Sequence, residues 1–187
     1  MQSPFAFIVT PLQNKRYDNT IDVGSVEFIT STSKEDASVS NRFALVVEVP
    51  LGYKGPIQKE DILVVHHNVF KYYNDMAGRE KSGRSFLKDD TFFVEQDQFF
   101  MYNHKGKWLP HLNYCFVKPV EREKSSIFKL GTYEPLTGYL KYINKSLKDS
   151  GLKEGDKVGF LPNSEYKFTI DGELLYRMKT SDIAIKL

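Results

Sequence analysis

"FTIDGELLYRMKTSDIAIKL", residues 168–187, decides the class of fold. Runs of apolar residues flank Asp171-Gly172, and this dipeptide between two such runs is the strongest short signal of a β-hairpin, because a type I′ turn needs positive φ at both central positions. After a polar break, Ile183 to Leu187 alternate again. We read this last run as a strand meant for a neighbour, since an unpaired apolar edge invites other chains. Further strand-like runs lie upstream: "FAFIVT", "RFALVVEV", "DILVVHHNVF", "DTFFVE", "QFFMY", "NYCFVKP", "DKVGFL". Turn residues punctuate them at Pro50 to Gly52, Gly55-Pro56, Asp89-Asp90, Gly151 and Gly155. Helical spacing appears only in "LTGYLKYINKSLKDSG", which serves a strand followed by a short turn equally well. The expected class is all-β, with many short strands in a sandwich or barrel.

The composition suits a β core. Of the 187 residues, 41% are hydrophobic and 14% aromatic, nearly all of the rings being Phe and Tyr. A net charge of +2 argues against a dedicated polyanion binder. The two halves differ: residues 1–104 carry 11 basic and 14 acidic groups, residues 105–187 carry 15 and 10. One cysteine, Cys115 in strand-like "LNYCFV", excludes an internal disulfide framework and is expected to be a buried, inert thiol. The N-terminus lacks a signal-peptide pattern and no run approaches the length of a membrane span, so the expected location is cytoplasmic.

Three blocks recur in the same order. "FAFIVTP" (5–11) matches "NYCFVKP" (113–119), Val9 falling on Val117 and Pro11 on Pro119. "IQKEDILVV" (57–65) matches "LKEGDKVGF" (152–160), Asp61 falling on Asp156. "FLKDDTFFVEQDQFFMY" (86–102) matches 168–187, Asp89 falling on Asp171 and Asp97 on Asp182. The copies differ in their connections: 12–41 is longer than 120–136, and "YYNDMAGREKSGRS" faces only "PNSE".

The "LKEGDKVGF" entry, the hairpin through "DGE" and the closing "SDIAI" resemble the GroES co-chaperonin family, whose corresponding segments read "VKVGDKV", "(I/V)DGEEYL" and "EDDILA". The carboxy-terminal copy carries most of the likeness; the first copy keeps "KEDILVV" and "KDDTFFVEQDQFFMY". The resemblance implies two tandem GroES-like irregular β-barrels. Residues 1–104 form one, with a long loop 12–41 and an insertion 74–85, and residues 105–187 form the other. It implies a homo-oligomeric ring that caps a GroEL-type chaperonin and assists folding, with ATP bound by the chaperonin. First and last strands of neighbouring units pair in the family. Carried over, "DQFFMY" (97–102) meets "NYCFVK" (113–118) within the chain, and Phe7 and Val9 meet Ile183 and Ile185 of the next. Mobile loops would hold the chaperonin through short apolar anchors: Val26, Phe28 and Ile29 in the first copy, Ile127, Phe128 and Leu130 in the second. Neither loop carries the family's tripeptide cleanly, and two units per chain fit a sevenfold partner poorly. The alternative reading is a β-barrel binding or structural module with the same fold and no chaperonin partner.

Signatures of catalysis are missing from the sequence: it holds no GxSxG, HExxH, P-loop or GxGxxG and no Cys-His cluster. No catalytic residue, cofactor, metal or nucleic-acid partner is therefore expected. His66 and His67, adjacent on a strand, would point to opposite faces and could not chelate one ion. His104 and His111 flank the junction around Trp108 and read as interface residues. "GREKSGR" (78–84) reads as a solvated hairpin tip rather than a phosphate finger, given acidic neighbours Asp75, Glu80, Asp89 and Asp90.

Overall fold

The computed structural model describes residues 1–17, 20–23, 26–29, 40–122 and 132–187, without the side chains of 20–29 and of Glu80. The chain divides into two compact units, Met1–Lys107 and Trp108–Leu187. The first contains β1 (Phe7–Pro11), β2 (Thr20–Val23), β3 (Val26–Ile29), β4 (Phe43–Glu48), β5 (Ile62–Val65), β6 (Tyr72–Asn74), β7 (Glu80–Ser82), β8 (Phe86–Lys88), β9 (Thr91–Val94) and β10 (Phe99–His104). A strand β11 (Lys107–Pro110) runs across the boundary. The second unit contains β12 (Tyr114–Glu121), β13 (Tyr133–Tyr142), helix α1 (Lys145–Asp149), β14 (Lys157–Phe160), β15 (Tyr166–Ile170), β16 (Glu173–Lys179) and β17 (Ile183–Lys186). The protein is thus mostly antiparallel β, as its alternating pattern demands.

The main ladders of the two units share one order, β10-β5-β4-β1-β9-β8 in the first and β17-β14-β13-β12-β16-β15 in the second. Register agrees residue by residue. Val9 opposes Val46 and Pro11 opposes Ala44, as Val117 opposes Leu140 and Pro119 opposes Gly138. Leu63 lies across from Ala44, as Val158 does from Gly138. Phe7 and Val9 oppose Val94 and Phe92, as Cys115 and Val117 oppose Met178 and Tyr176. A register shift falls between Ile8 and Val9 in one unit and between Phe116 and Val117 in the other, a bulge at the same place.

The entry turns agree in detail. In "QKED" the Asp61 carboxylate accepts the Gln58 N–H at 2.8 Å, and the Asp61 carbonyl accepts from Val46 at 2.9 Å. In "KEGD" Asp156 accepts the Lys153 N–H at 2.9 Å, and its carbonyl accepts from Leu140 at 3.0 Å. The third block aligns differently from the sequence reading. Glu95 N–H donates to the Gln98 side chain and His66 N–H to its carbonyl; Lys179 and Leu161 do the same to Asp182. Gln98, not Asp97, is therefore the counterpart of Asp182: an amide oxygen accepts this N–H as well as a carboxylate does. The Asp171-Gly172 hairpin forms as expected, with φ of 50° and 76°.

Both ladders curl. Phe7 and Phe99 stand on strands three places apart, a span of about 14 Å in a flat sheet, yet their ring centres are 5.6 Å apart. Phe160 and Tyr176 do the same at 6.3 Å in the second unit. The curl encloses fully buried Phe7, Val9, Ala44, Leu63, Phe92, Phe99 and Met101 in one core. Cys115, Val117, Leu140, Val158, Phe160, Tyr176 and Met178, with Leu147 of α1, fill the other. Each fully buried Val, Leu, Phe or Met among them contributes about 1.5–3 kcal/mol. Among the described residues no pairing joins β8 to β10 or β15 to β17, so closed barrels are not found. In the first unit the far edge of β10 is taken by β11, so it cannot receive β8.

The expected subunit pairing needs correction at one end. β1 is flanked by β4 and β9, so both of its edges are consumed inside the unit and Phe7 and Val9 are buried core residues. β12 is likewise filled by β13 and β16, which leaves no edge for 97–102. Ile183 packs on its own core. Of the strands expected at subunit contacts, β17 keeps an open side among the described residues, with β14 as its single neighbour and Ile185 58% exposed.

Candidate interaction site

The expected anchors fall in the connection from β1 to β4 and its counterpart from β12 to β13. In the first unit the connection opens after Pro11 with a short 3-10 turn, Leu12–Asn14. Its two legs then come together: Tyr17 bridges Ser40, and Asn41 N–H donates to the Arg16 carbonyl at 3.0 Å. Asn41 fastens this neck, its amide nitrogen donating to the carbonyls of Leu12 (3.1 Å) and Lys15 (2.7 Å) and its oxygen accepting from Phe43 N–H. A buried Asn that satisfies three backbone groups fixes the loop exit in one conformation.

The neck is tied in turn to the insertion. Ser40 hydroxyl donates to the His67 carbonyl at 3.0 Å, and Tyr17 hydroxyl accepts the Tyr72 N–H at 2.7 Å. Arg16 is buried; its Nε donates to the Phe70 carbonyl at 2.9 Å, and its terminal nitrogens lie 3.3 and 3.4 Å from Ser82 Oγ. The guanidinium stacks 3.4 Å over the Tyr72 ring and 4.8 Å from that of Phe92. Burial lowers its pKa from the usual arginine value, opposed by Tyr72, Tyr17 and Asp90. A desolvated cation–π pair of this kind is worth about 2 kcal/mol.

Beyond the neck, β2 (20–23) and β3 (26–29) form a ladder of their own, with Ile21 opposite Phe28 and Val23 opposite Val26. Within the long loop the alternation in "TIDV" and "VEFI", with only Gly24-Ser25 between them in sequence, is a hairpin pattern. Val26, Phe28 and Ile29 thus all stand on β3. In the second unit the connection leaves through Arg122, whose N–H donates to the Thr132 carbonyl at 3.0 Å. Ile127, Phe128 and Leu130 lie outside the described residues.

The insertion forms the β6–β7 hairpin, with Tyr73 opposite Lys81. Asp75 builds its tip: one carboxylate oxygen accepts the N–H groups of Ala77 and Arg79, and the other meets Lys81 Nζ at 3.2 Å. Those bonds hold its pKa below the usual carboxylate value, the Arg79 N–H most of all. Arg84 faces Glu95 at 3.9 Å. The basic residues of "GREKSGR" are thus interleaved with carboxylates, as a solvated tip requires.

The other titratable candidates have structural partners. His66 and His67 sit past the end of β5, where strand alternation no longer applies, and their rings lie 4.1 Å apart. Burial, then His66, Arg42 and Lys71, pushes His67 down to about 4. His104 Nδ1 lies 2.9 and 3.0 Å from the two oxygens of Asp61. Trp108 donates to Asp171 at 2.8 Å, inside the second unit. Cys115 is buried and its thiol is pushed up to about 12 by that burial, which fits an inert side chain. Among the described residues no group of three His, Cys, Asp or Glu is placed to hold a metal ion, and no helix is long and apolar enough to cross a membrane. Sequence reasoning missed Arg16, Tyr17, Asn41 and Ser82; only the cation–aromatic pair "RY" inside a polar stretch hinted at them.

No protein-family model matches the chain, and no curated protein matches it.

Proposed function

We propose that this chain is a co-chaperonin of the GroES type, made of two copies of one β unit, that caps a GroEL-type chaperonin and assists protein folding. The observation that carries the reading is the shared register of the two ladders, including the bulge and the aspartate turn, with the elongated connection at the same place in each. Those connections, 12–41 and 120–136, are the docking segments, with Val26, Phe28, Ile29 and Ile127, Phe128, Leu130 as apolar anchors. Each contact is weak, because ordering a segment offsets part of what it gains. Several chains in a ring restore affinity through effective concentration, and a change in the nucleotide state of the chaperonin releases all of them together. Ring contacts use the open side of β17 around Ile185. The chain itself performs no bond chemistry and binds no nucleotide, metal or cofactor.

The test is limited proteolysis of the full chain with a GroEL-type chaperonin and nucleotide. Protection of 18–39, with co-migration of the two proteins on a native gel, is the expected result. Unchanged cleavage and separate migration would refute it and favour a β-rich binding module without this partner.

A further inference from the structure

We propose that the recess at the base of the β6–β7 hairpin binds an extended peptide, seating one of its Asp or Glu carboxylates between Lys71 and Arg84. The recess measures about 550 Å³, within the range of small-ligand sites, and among the described residues no carboxylate lines it. Four of the groups that do line it have protons to give. Lys71 is half-buried and forms no ion pair among the described residues. Arg84 meets Glu95 only at 3.9 Å, with side chains 96% and 58% exposed, a contact loose enough to be exchanged for a ligand. Ser85 is buried; its hydroxyl accepts from Gln98 Nε2 at 3.3 Å and keeps its own proton to donate. Gln98 uses one of its two amide hydrogens in that bond and has the other left. Such a set of donors calls for an anionic acceptor, and a carboxylate on Lys and Arg makes strong, charge-assisted bonds.

The walls are set before a ligand arrives. Tyr72 is fixed by Arg16, 3.4 Å over its ring, and by the bond from its N–H to the Tyr17 hydroxyl. The Glu95 N–H holds the Gln98 side chain at 2.9 Å, and the Phe93 N–H holds the Ser85 carbonyl at 2.6 Å. Tyr73, 47% exposed, adds an apolar flank. What favours a peptide over a free anion is a second recess of about 390 Å³, which shares Arg84, Ser85 and Gln98 with the first and so adjoins it. It carries Phe93, Glu95, Asp97 and Phe5, whose ring is 82% exposed. A free anion would use the first recess alone. Adjoining recesses of opposite charge, with an open aromatic ring, suit a chain in which an acidic residue stands beside an apolar and a basic one. The second unit has only "PNSEYK" where the insertion stands, so the site belongs to the first unit.

The experiment titrates the isotope-labelled full chain, followed by NMR, with two end-capped peptides, Gly-Glu-Phe-Lys-Gly and Gly-Lys-Phe-Glu-Gly, since either chain direction satisfies the charges. Their counterparts with glutamine for glutamate, and sodium acetate, are the controls. At least one peptide should shift the side-chain amide of Gln98 and the backbone signals of Arg84 and Phe5 saturably, and its glutamine counterpart should bind about tenfold more weakly. Lys71→Met and Arg84→Gln should each weaken that peptide about tenfold, the loss of one charge-assisted hydrogen bond, while Lys71→Arg should retain it. Unchanged signals from the core strands show that a variant is intact, and Arg84→Gln, at an exposed position, keeps the test open should Lys71→Met unfold. Equal binding of the glutamate and glutamine peptides, or undiminished binding by both charge-removing variants, overturns the proposal. Acetate that saturates the same signals as tightly as the peptides overturns it too, making the recess a site for small anions only. No saturable shift with either peptide is the third result that would sink it.

Discussion

At the turn before β5 the first unit places Glu60 at φ 69°, and at the matching turn before β14 the second places Gly155 at φ 90°. On the neighbouring strand the preference reverses: Ala44 fills the position opposite Pro11, where Gly138 stands opposite Pro119. The units thus keep one ladder while exchanging the residues that suit it. The aspartate bonds and the bulge recur in both, so they specify the architecture. A strained Glu60 is tolerated because the ladder over-determines its backbone. The close approach at Gly138 belongs to one unit alone. An alanine Cβ there would lie 2.3 Å from Val117 Cγ1 and 2.7 Å from the Lys118 carbonyl oxygen.

That last difference gives the largest expected effect. Gly138→Ala should cost about 3 kcal/mol, the upper end of overpacking penalties, because a backbone carbonyl in a paired strand cannot step aside. The single tryptophan, Trp108, lies in the second unit, so its fluorescence in a urea titration reads the loss directly. Ala44→Gly in the first unit should cost about 1.5 kcal/mol, the backbone penalty for glycine in a strand plus the loss of one buried methyl. A loss below 1 kcal/mol for Gly138→Ala would mean that the two strands separate there easily, and the contrast between the units would vanish.

The exchange at the aspartate turn is smaller. No atom would lie within 4 Å of a Cβ on Gly155, so only its φ opposes substitution. Gly155→Ala should lower stability by about 1 kcal/mol, the cost of a left-handed L-residue, and Glu60→Gly should raise it by a similar amount. Trp108 fluorescence follows the first, and amide exchange of Val46, which donates to Asp61, follows the second. Equal stability in both variants would show that neither turn stores strain.

The parts of the fold written in local chemistry were legible from the sequence. Asp171-Gly172 announced its hairpin, and the match of Asp61 to Asp156 announced that "KED" and "EGD" stand at equivalent places; that each carboxylate caps the residue three before it came from the structure. The stretch from "LTG" onward could be read as helix or strand; its first part belongs to β13 and its end forms α1. Strand order was not legible. Nothing in "FAFIVT" distinguishes an edge strand from β1, which is buried on both sides by β4 and β9; only tertiary pairing decides that. The neck was hidden for the same reason. Arg16 and Ser82 are 66 positions apart, and each alone reads as an ordinary polar loop residue. Asp97 misled because a carboxylate was sought opposite Asp182, whereas an amide at Gln98 does the same work.

The smallest effect tests how each unit completes its aspartate turn. In both, a side chain at the end of the ladder reaches back to the carboxylate: His104 of β10 to Asp61, and Lys186 of β17 to Asp156 at 2.6 Å. Lys186 above all, then the Lys153 N–H, holds the Asp156 carboxyl below its ordinary value. A carboxyl depressed in the folded state stabilises that state above its unfolded value of 3.8, and the contribution disappears as pH falls through the folded value. Unfolding of the second unit followed by Trp108 should therefore become easier as pH drops below 3.8. Lys186→Met should flatten that dependence without abolishing it, because the Lys153 N–H still favours the ionised form. Carbon-13 titration of the Asp156 carboxylate provides the direct reading: its pKa should rise in Lys186→Met yet stay below 3.8. A wild-type value at or above 3.8 would mean that β17 is not held to the turn through Lys186, and that its pairing with β14 stands on backbone hydrogen bonds alone.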